Sequence, residues 1–453
     1  MPRMQFGTSA FERARGDLPE LPVINLYAEE APTEETGIAL QSRPGLSDRS
    51  ADMGMGPVEA LFKKDGVLSG ALFGISAGGL YSATTLVGTV AGSGAVSIAG
   101  NESGLMVTAG ADIYLTTDGT TLSAMAFPDG ADVAKVFNGA SRFFAIRKDT
   151  GKIYFTDPLA TDVDALDFAT AESLPDKLVD GLWLDDAAIL GGAESVEIWP
   201  NTDDADLPIA PLEGAVIARG VRATGCMAVF GENWAFVDDD NAVHIGSGAS
   251  IERVSNPGLE AKIKASTACR LWTFVMDAQE FLCLRLDTQS YAFGEINRLW
   301  SEVASYGEDN WLPQCFAGGV FGSAADGKTL AFSSDHLDLA GQLERRFRAG
   351  FALNSGGLFI DNLILRCNVG QTPFLTGDYV IPVVEMRTSD DAGQTWSVWD
   401  AVSLGAQGDY RAQPVWDAVG MASQPGFLAE FRLTAPVPFR VSDVLINEPR
   451  GGR

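Results

Sequence analysis

The segment Ser389-Asp390-Asp391-Ala392-Gly393-Gln394-Thr395-Trp396 has the sharpest chemical spacing in the chain, fitting the pattern Ser-any-Asp-any-Gly-any-Thr-Trp. Asp391 can accept backbone N–H bonds, Gly393 admits positive φ, and Trp396 can close the base of a hairpin. Ser389, Asp391, Gly393, Thr395 and Trp396 are therefore read as a structural turn, an Asp-box, and not as a catalytic set. Acidic clusters stand at Asp185-Asp186, Asp203-Asp204 with Asp206, and Asp238-Asp239-Asp240. Oxygen-rich turns of this kind can hold Ca²⁺, but none has the D-x-[DN]-x-[DN]-G spacing, and they read as solvated turns. The two histidines, His244 and His336, lie far apart and exclude a His-rich metal site. The five cysteines, Cys226, Cys269, Cys283, Cys315 and Cys367, contain no CxxC and sit mostly in apolar stretches. They read as buried, reduced thiols of a protein folded in a reducing compartment. Gly74-Ile75-Ser76-Ala77-Gly78-Gly79 and Ala91-Gly92-Ser93-Gly94 lack a following Lys-Ser/Thr and are turns, not phosphate loops. No catalytic residue, cofactor site or metal site emerges. The basic run Arg345-Arg346-Phe347-Arg348 stands out, either as a contact for an acidic partner or as one outward strand face.

Composition narrows the field. The 453 residues carry 60 Asp and Glu against 32 Lys and Arg, a formal charge of −28. Non-specific DNA binding needs clustered cations, which this balance does not supply. No window approaches ~18 uninterrupted apolar residues, so no membrane-spanning helix is expected, and no apolar segment of a secretory signal follows Arg3, Arg13 and Arg15. Hydrophobic residues make up 46%, enough for a sizeable core.

The elements that must carry these residues are strands. An apolar–any–apolar triplet followed by a polar turn recurs, less cleanly at Leu80-Tyr81-Ser82, and then at Ile113-Tyr114-Leu115, Ile153-Tyr154-Phe155, Val196-Glu197-Ile198, Val243-His244-Ile245, Tyr291-Ala292-Phe293 and Leu330-Ala331-Phe332. Intervals run from 33 to 48 residues, near the ~40–50 of a four-stranded propeller blade. A second apolar run often precedes the triplet, as in Arg142–Ile146 and Trp234–Val237, and the short gap predicts a hairpin. Helical periodicity is nearly absent; Leu259 to Ala265 is the best short candidate. The expected fold is all-β: a β-propeller of six or seven blades over 56–340, an extended N-terminal arm over 1–55, and a C-terminal β-sandwich-like domain over 341–453. Within the last, strands are expected at Gly357–Ile360, ended by Asp361, then at Leu363–Leu365, Val380–Val384, Phe427–Phe431 and Val444–Ile446. The arm, with Pro22 and Pro44, is expected to lie on a neighbouring surface without a core of its own.

Several segments carry a family resemblance. Leu21-Pro22-Val23-Ile24-Asn25-Leu26-Tyr27 through Arg43-Pro44-Gly45 resembles the N-terminal signature of the phage packaged DNA stabilisation proteins, the tail hub or tail accessory factor of P22-like short-tailed phages. Gly79-Leu80-Tyr81 through Val90-Ala91-Gly92-Ser93-Gly94 resembles that family's first blade. Gly181-Leu182-Trp183 through Glu197-Ile198-Trp199 resembles a central blade, and Gly220 to Val237, with Cys226 and Trp234-Ala235-Phe236, the next. Gly426-Phe427 through Ile446 resembles its last hairpin. The resemblance implies a structural virion protein with no catalytic residues and no cofactor. It would form a homo-oligomeric ring, taken as a hexamer, below the portal-adaptor protein. It would carry the tail needle, spike or fibre proteins and close the head on its packaged DNA. DNA would pass through without specific binding, and no membrane would be involved. The location implied is the virion tail, with assembly in the host cytoplasm. Partner contacts are expected at Leu21, Pro22, Tyr27, Arg43 and Pro44 of the arm, and at Arg345, Arg346 and Arg348.

Two other readings compete. The Asp-box, with Trp396 and Trp399, also suits a glycan-binding or glycan-cleaving propeller of a tail receptor module, since the motif occurs in sialidases; a sialidase further needs an arginine cluster and an activated Tyr. The third is a propeller scaffold of host origin with a small partner.

Overall fold

The computed structural model describes residues 3–9, 21–34, 37–171, 176–308, 310–339, 341–353 and 356–448. Strands dominate, and a single α-helix, Pro257–Ala265, is found among the described residues. Asn256 caps it by accepting the Leu259 N–H, and Pro257 starts it where no N–H is needed.

Seven four-stranded antiparallel units follow one another among the described residues. Six are built from 58–89, 97–124, 133–170, 178–217, 227–253 and 269–303; the seventh uses 313–333 and is completed by 45–52. The first strand of each unit lies beside the first strand of the next, and the seventh lies against the first, so the ring closes. Each of the seven sequence triplets is the third strand of its unit, and the preceding apolar runs are second strands. These two strands form the buried middle of a blade, which is why their pattern is apolar. Aromatic rings fill the wedges between units: Phe144 stacks between Phe137, at 5.2 Å, and Trp183 of the following unit, at 5.4 Å. Such pairs contribute about 0.5–1.5 kcal/mol beyond the area they bury.

The C-terminal block is a β-sandwich, as expected. One sheet runs through strands Leu26–Glu30, Ile38–Ser42, Arg440–Ile446, Leu358–Cys367 and Val415–Ala422. The facing sheet contains Arg345–Ala352, Gly426–Leu433, Val383–Ser389 and Asp400–Ser403. Phe347, Phe431, Trp416, Leu363 and Val441 are among the side chains that form their common core. The expected stop at Asp361 is a bulge between Ile360 and Asn362 inside one ten-residue strand, so the two short strands predicted there are continuous. The strand expected at Val380–Val384 begins at Val383, just past Pro382, which cannot donate to a ladder.

The N-terminal segment differs most from expectation. Residues 21–34 and 37–52 are not an arm on a neighbour's surface; they supply strands of this chain's own sheets. Val23–Ile24 pairs antiparallel with Arg345–Ala352 and parallel with Trp300–Val303, joining the sixth propeller unit to the sandwich in one ten-stranded sheet. Ile38–Ser42 pairs with Arg440–Ile446. Gly45–Asp52 is the outer strand of the seventh unit, antiparallel to Lys328–Ser333. Gly45 must be glycine, because a Cβ there would lie 2.1 Å from the Leu337 carbonyl oxygen. The physical reason for the correction is burial: Val23, Leu26, Leu40 and Leu46 are apolar positions that these sheets absorb. Residues 1–2, 10–20 and 35–36 of the expected arm lie outside the described residues.

Arg43 ties the pieces together. Its guanidinium, 2% exposed, makes a bidentate pair with Asp338 at 2.6 and 3.0 Å. It also donates to Asn25 Oδ1 at 2.8 Å and to the carbonyls of Pro44 and Ala304, both at 2.9 Å. Removing one partner of a buried ion pair strands the other charge and costs about 3–5 kcal/mol. Arg43→Leu is therefore expected to lower the unfolding free energy by that amount in urea titration. The double variant Arg43→Leu with Asp338→Leu should lose clearly less than the two single losses added. A fully additive cycle would show that the pair is not coupled.

Candidate functional site

The turn at 389–396 is built as its spacing implies. Asp391 accepts the Thr395 N–H at 2.9 Å and the Thr395 hydroxyl at 2.6 Å, and the Ser389 hydroxyl donates to it at 2.7 Å. These bonds from Thr395 and Ser389 hold the Asp391 carboxyl far below the usual carboxylate range. Gly393 sits at φ +91°, and its carbonyl accepts the Trp396 indole N–H at 3.0 Å.

Around the turn lies a ladder of cations and rings. Arg348 and Arg387 each stand 4.8 Å from the Trp396 ring, and Arg387 and Arg432 stand 4.6 and 4.3 Å from Trp399. Register explains the meeting: Arg348 and Arg387 both lie opposite Glu430 in the sheet, and Arg432 lies opposite Glu385. The buried Glu430 carboxylate takes Arg348 at 2.8 Å and also pairs with Arg387. The guanidiniums already engage the indole rings that a sugar would need for stacking, so this cluster works as a brace for the sheet.

The expected partner-contact residues gather at the seam between propeller and sandwich. Tyr27 is 5% exposed and donates to Asp277 at 2.6 Å, with its ring edge-on to Phe281. Arg43 is buried as described. Arg345 is fully buried and donates to the carbonyls of Val437, at 2.6 Å, and Ala435. Burial, and then the nearby charge of Arg43, pull the Arg345 guanidinium down to about 9. Those three are thus placed away from any free surface of this chain, and the bonds described for them are made within it. Leu21, Pro22, Pro44, Arg346 and Arg348 are half-buried beside them. Asp338 and Asn25 are not singled out from the sequence; Asp338 lies in a polar turn-like stretch and Asn25 in an apolar one, and both gain their role only when distant segments meet.

The remaining candidates are structural. His244 is buried, 2.9 Å from Asp238 through Nε2, and stacks on Phe236. Asp203, Asp204 and Asp206 lie in a turn held by side-chain-to-backbone bonds. Among the described residues no group of three or more His, Cys, Asp or Glu is arranged to hold a metal ion. The five cysteines are free thiols; burial pushes Cys315 up to about 11 and Cys367 up to about 12, which suits packing and not nucleophilic attack.

A closed ring of β-meanders with a stitched-in N-terminus now has a counterpart. Residues 6–305 match the phage stabilisation family described as Bacteriophage P22 Gp10, beta-propeller. The chain belongs to this family. The match covers the N-terminal strands, two of which belong to the sandwich, and six of the seven propeller units; it ends before the C-terminal strands of the sandwich. No match is found among curated proteins. Several solved structures are similar at low identity. PorZ, a surface component of the type-IX secretion system of Porphyromonas gingivalis, aligns at 15% identity over 71% of this chain and 45% of its own, with a TM-score of 0.36. BamB from Moraxella catarrhalis aligns at 12% over 64% and 98%, TM-score 0.35. YCF48 from Cyanidioschyzon merolae aligns at 11% over 64% and 98%, TM-score 0.42.

In this phage stabilisation protein the Asp-box carboxylate offers a direct pH test. A folded-state pKa below the unfolded value near ~4 contributes stability that is present above that value and lost as pH falls through it. Asp391→Asn should therefore be less stable than the parent chain at pH 6, with the difference shrinking between about pH 4 and pH 2. Urea unfolding followed by tryptophan fluorescence measures this; a difference independent of pH would mean the ionised carboxylate is not the source.

Proposed function

We propose that this chain is the tail hub of a short-tailed phage: a structural virion protein that joins the portal-adaptor ring to the distal tail and closes the head on its packaged DNA. The observation that carries the reading is the family match across the N-terminal strands and most of the propeller. The construction of the chain supports it. A propeller whose outer strand is supplied by its own N-terminal segment, and whose sixth unit runs on into the sandwich, is a stiff two-domain brick. Identical bricks arrayed by cyclic symmetry form a ring through repeated heterologous contacts, and we read the assembly as a hexamer. The adaptor lies on one side of that ring; needle, spike or fibre proteins lie on the other.

Charge supports the same reading. Residues 56–340 hold 39 of the 60 acidic residues and 17 of the 32 basic ones. A surface of that sign repels phosphates, so DNA can move past without sticking. The role needs no turnover, and the polar clusters described above are occupied by bonds within the chain. The tail, after assembly in the host cytoplasm, is the location this role requires.

Phage lacking this chain should fill their heads and then lose the DNA, read as nuclease-sensitive genomes in purified particles. Particles that keep nuclease-resistant DNA at the parental level would overturn the head-closing role.

A further inference from the structure

The propeller has a central cavity of about 440 Å³, bounded by the first strands of all seven units. Its size falls in the ~300–1,000 Å³ range of small-ligand sites. Its charge runs against the domain around it. Among the described residues that line it, the charged ones are Lys135 and Arg270, in a segment where acids outnumber bases by more than two to one.

Both cations are fixed in place. The Lys135 ammonium stands 2.9 Å from Asp180, which is fully buried and also accepts N–H bonds from Gly181, Gly225 and Met227. Asp180 balances the Lys135 charge, and the three backbone donors hold that carboxylate in place, so the pair brings no net charge to the cavity. Arg270 donates to the Glu59 carbonyl at 2.5 Å, reaching from the sixth unit past the seventh to the first. Burial pushes the Glu59 carboxyl up, against the pull of the nearby Arg270. Lys135 belongs to the third unit and Arg270 to the sixth, three steps apart in a ring of seven, so they approach the cavity from roughly opposite walls. Between them the lining is apolar and aromatic: Phe137, Trp183, Val229 and Phe316. Val229 keeps 37% of its surface exposed although it sits on an inner strand.

We propose that this cavity binds a small organic anion, an aromatic or aliphatic carboxylate, sulfonate or phosphate ester, with its acidic group at Arg270, whose hydrogen bond is to a neutral carbonyl, and its apolar body against Trp183 and Phe316. Preorganised cations in a partly desolvated site bind an anion more strongly than flexible surface lysines do. The ring of seven strands supplies the apolar contact.

The probe is anilinonaphthalene sulfonate, titrated by fluorescence against the full chain, with uncharged phenylnaphthylamine as its neutral analogue. The expected result is one site per chain, weakened by added salt, with the neutral analogue at least about tenfold weaker. Arg270→Gln should weaken the sulfonate about tenfold or more and the neutral analogue little. Val229→Trp, which narrows the cavity and leaves Arg270 in place, should weaken both. Sulfonate affinity unchanged in both variants would place the dye on exposed apolar surface elsewhere and overturn the proposal. Equal affinity for the charged and neutral dyes would overturn it as well. If Arg270→Gln unfolds, the Val229→Trp result decides alone.

Discussion

The seam between propeller and sandwich depends on one buried ion pair. Taking Arg43 and Asp338 out of water carries a desolvation cost of several kcal/mol per ion. The geometry answers that cost: two parallel N–H···O contacts to the carboxylate, with the remaining donors on Asn25, Pro44 and Ala304. Asn25 is itself pinned, donating to the Glu344 carbonyl at 2.7 Å and accepting the Ala304 N–H at 3.0 Å. The Arg43 guanidinium also lies 5.8 Å from the ring of Trp311. Four otherwise separate pieces of chain meet here: the N-terminal strands, the end of the sixth unit, the seventh unit and the link to the sandwich. Arg345 adds a second buried cation within the same field, and Asp338 eases the repulsion between the two.

The consequence is mechanical. Propeller and sandwich are connected through a continuous sheet and not through a linker, because Val23–Ile24 pairs with a strand of each. Ladder hydrogen bonds running across a domain boundary resist hinge motion far better than a polar interface does. In the hub role proposed above, such stiffness would let contacts between copies transmit load without bending each block.

What the sequence made legible follows burial. The second and third strands of each unit are buried on both faces, so their apolar runs mark them without ambiguity. First strands were hidden because they line a channel of mixed character, as in Val133–Gly139 with Lys135 and Asn138. Some fourth strands were hidden because they are short and exposed, as Ser123–Ala124 shows. The Asp-box was readable because its bonds are local, all within five residues. The seam was not: Arg43 and Asp338 are 295 positions apart, and nothing near either residue signals the other. The same blindness produced the arm, since a strand supplied to a distant sheet has no local partner in the sequence.

Distance along the chain also explains why the seam uses charge. The closing strand meets its partner across 284 positions, as between Ser47 and Ala331. Loop-closure entropy grows only logarithmically, so each doubling of that length adds just ~0.6 kcal/mol. Closure is therefore affordable in stability, and the harder demand is register. A slip of one residue in Gly45–Asp52 would turn Leu46 away from Phe274, Trp311 and Phe321 and present Ser47 in its place. Apolar contacts alone discriminate weakly between neighbouring registers, because they are non-directional. A bidentate guanidinium two residues before Gly45 is directional: a slip of ~3.3 Å moves it off Asp338 and leaves two charges buried without partners. The pair thus acts less as a source of net stability than as the device that makes one closure of the ring far better than its neighbours.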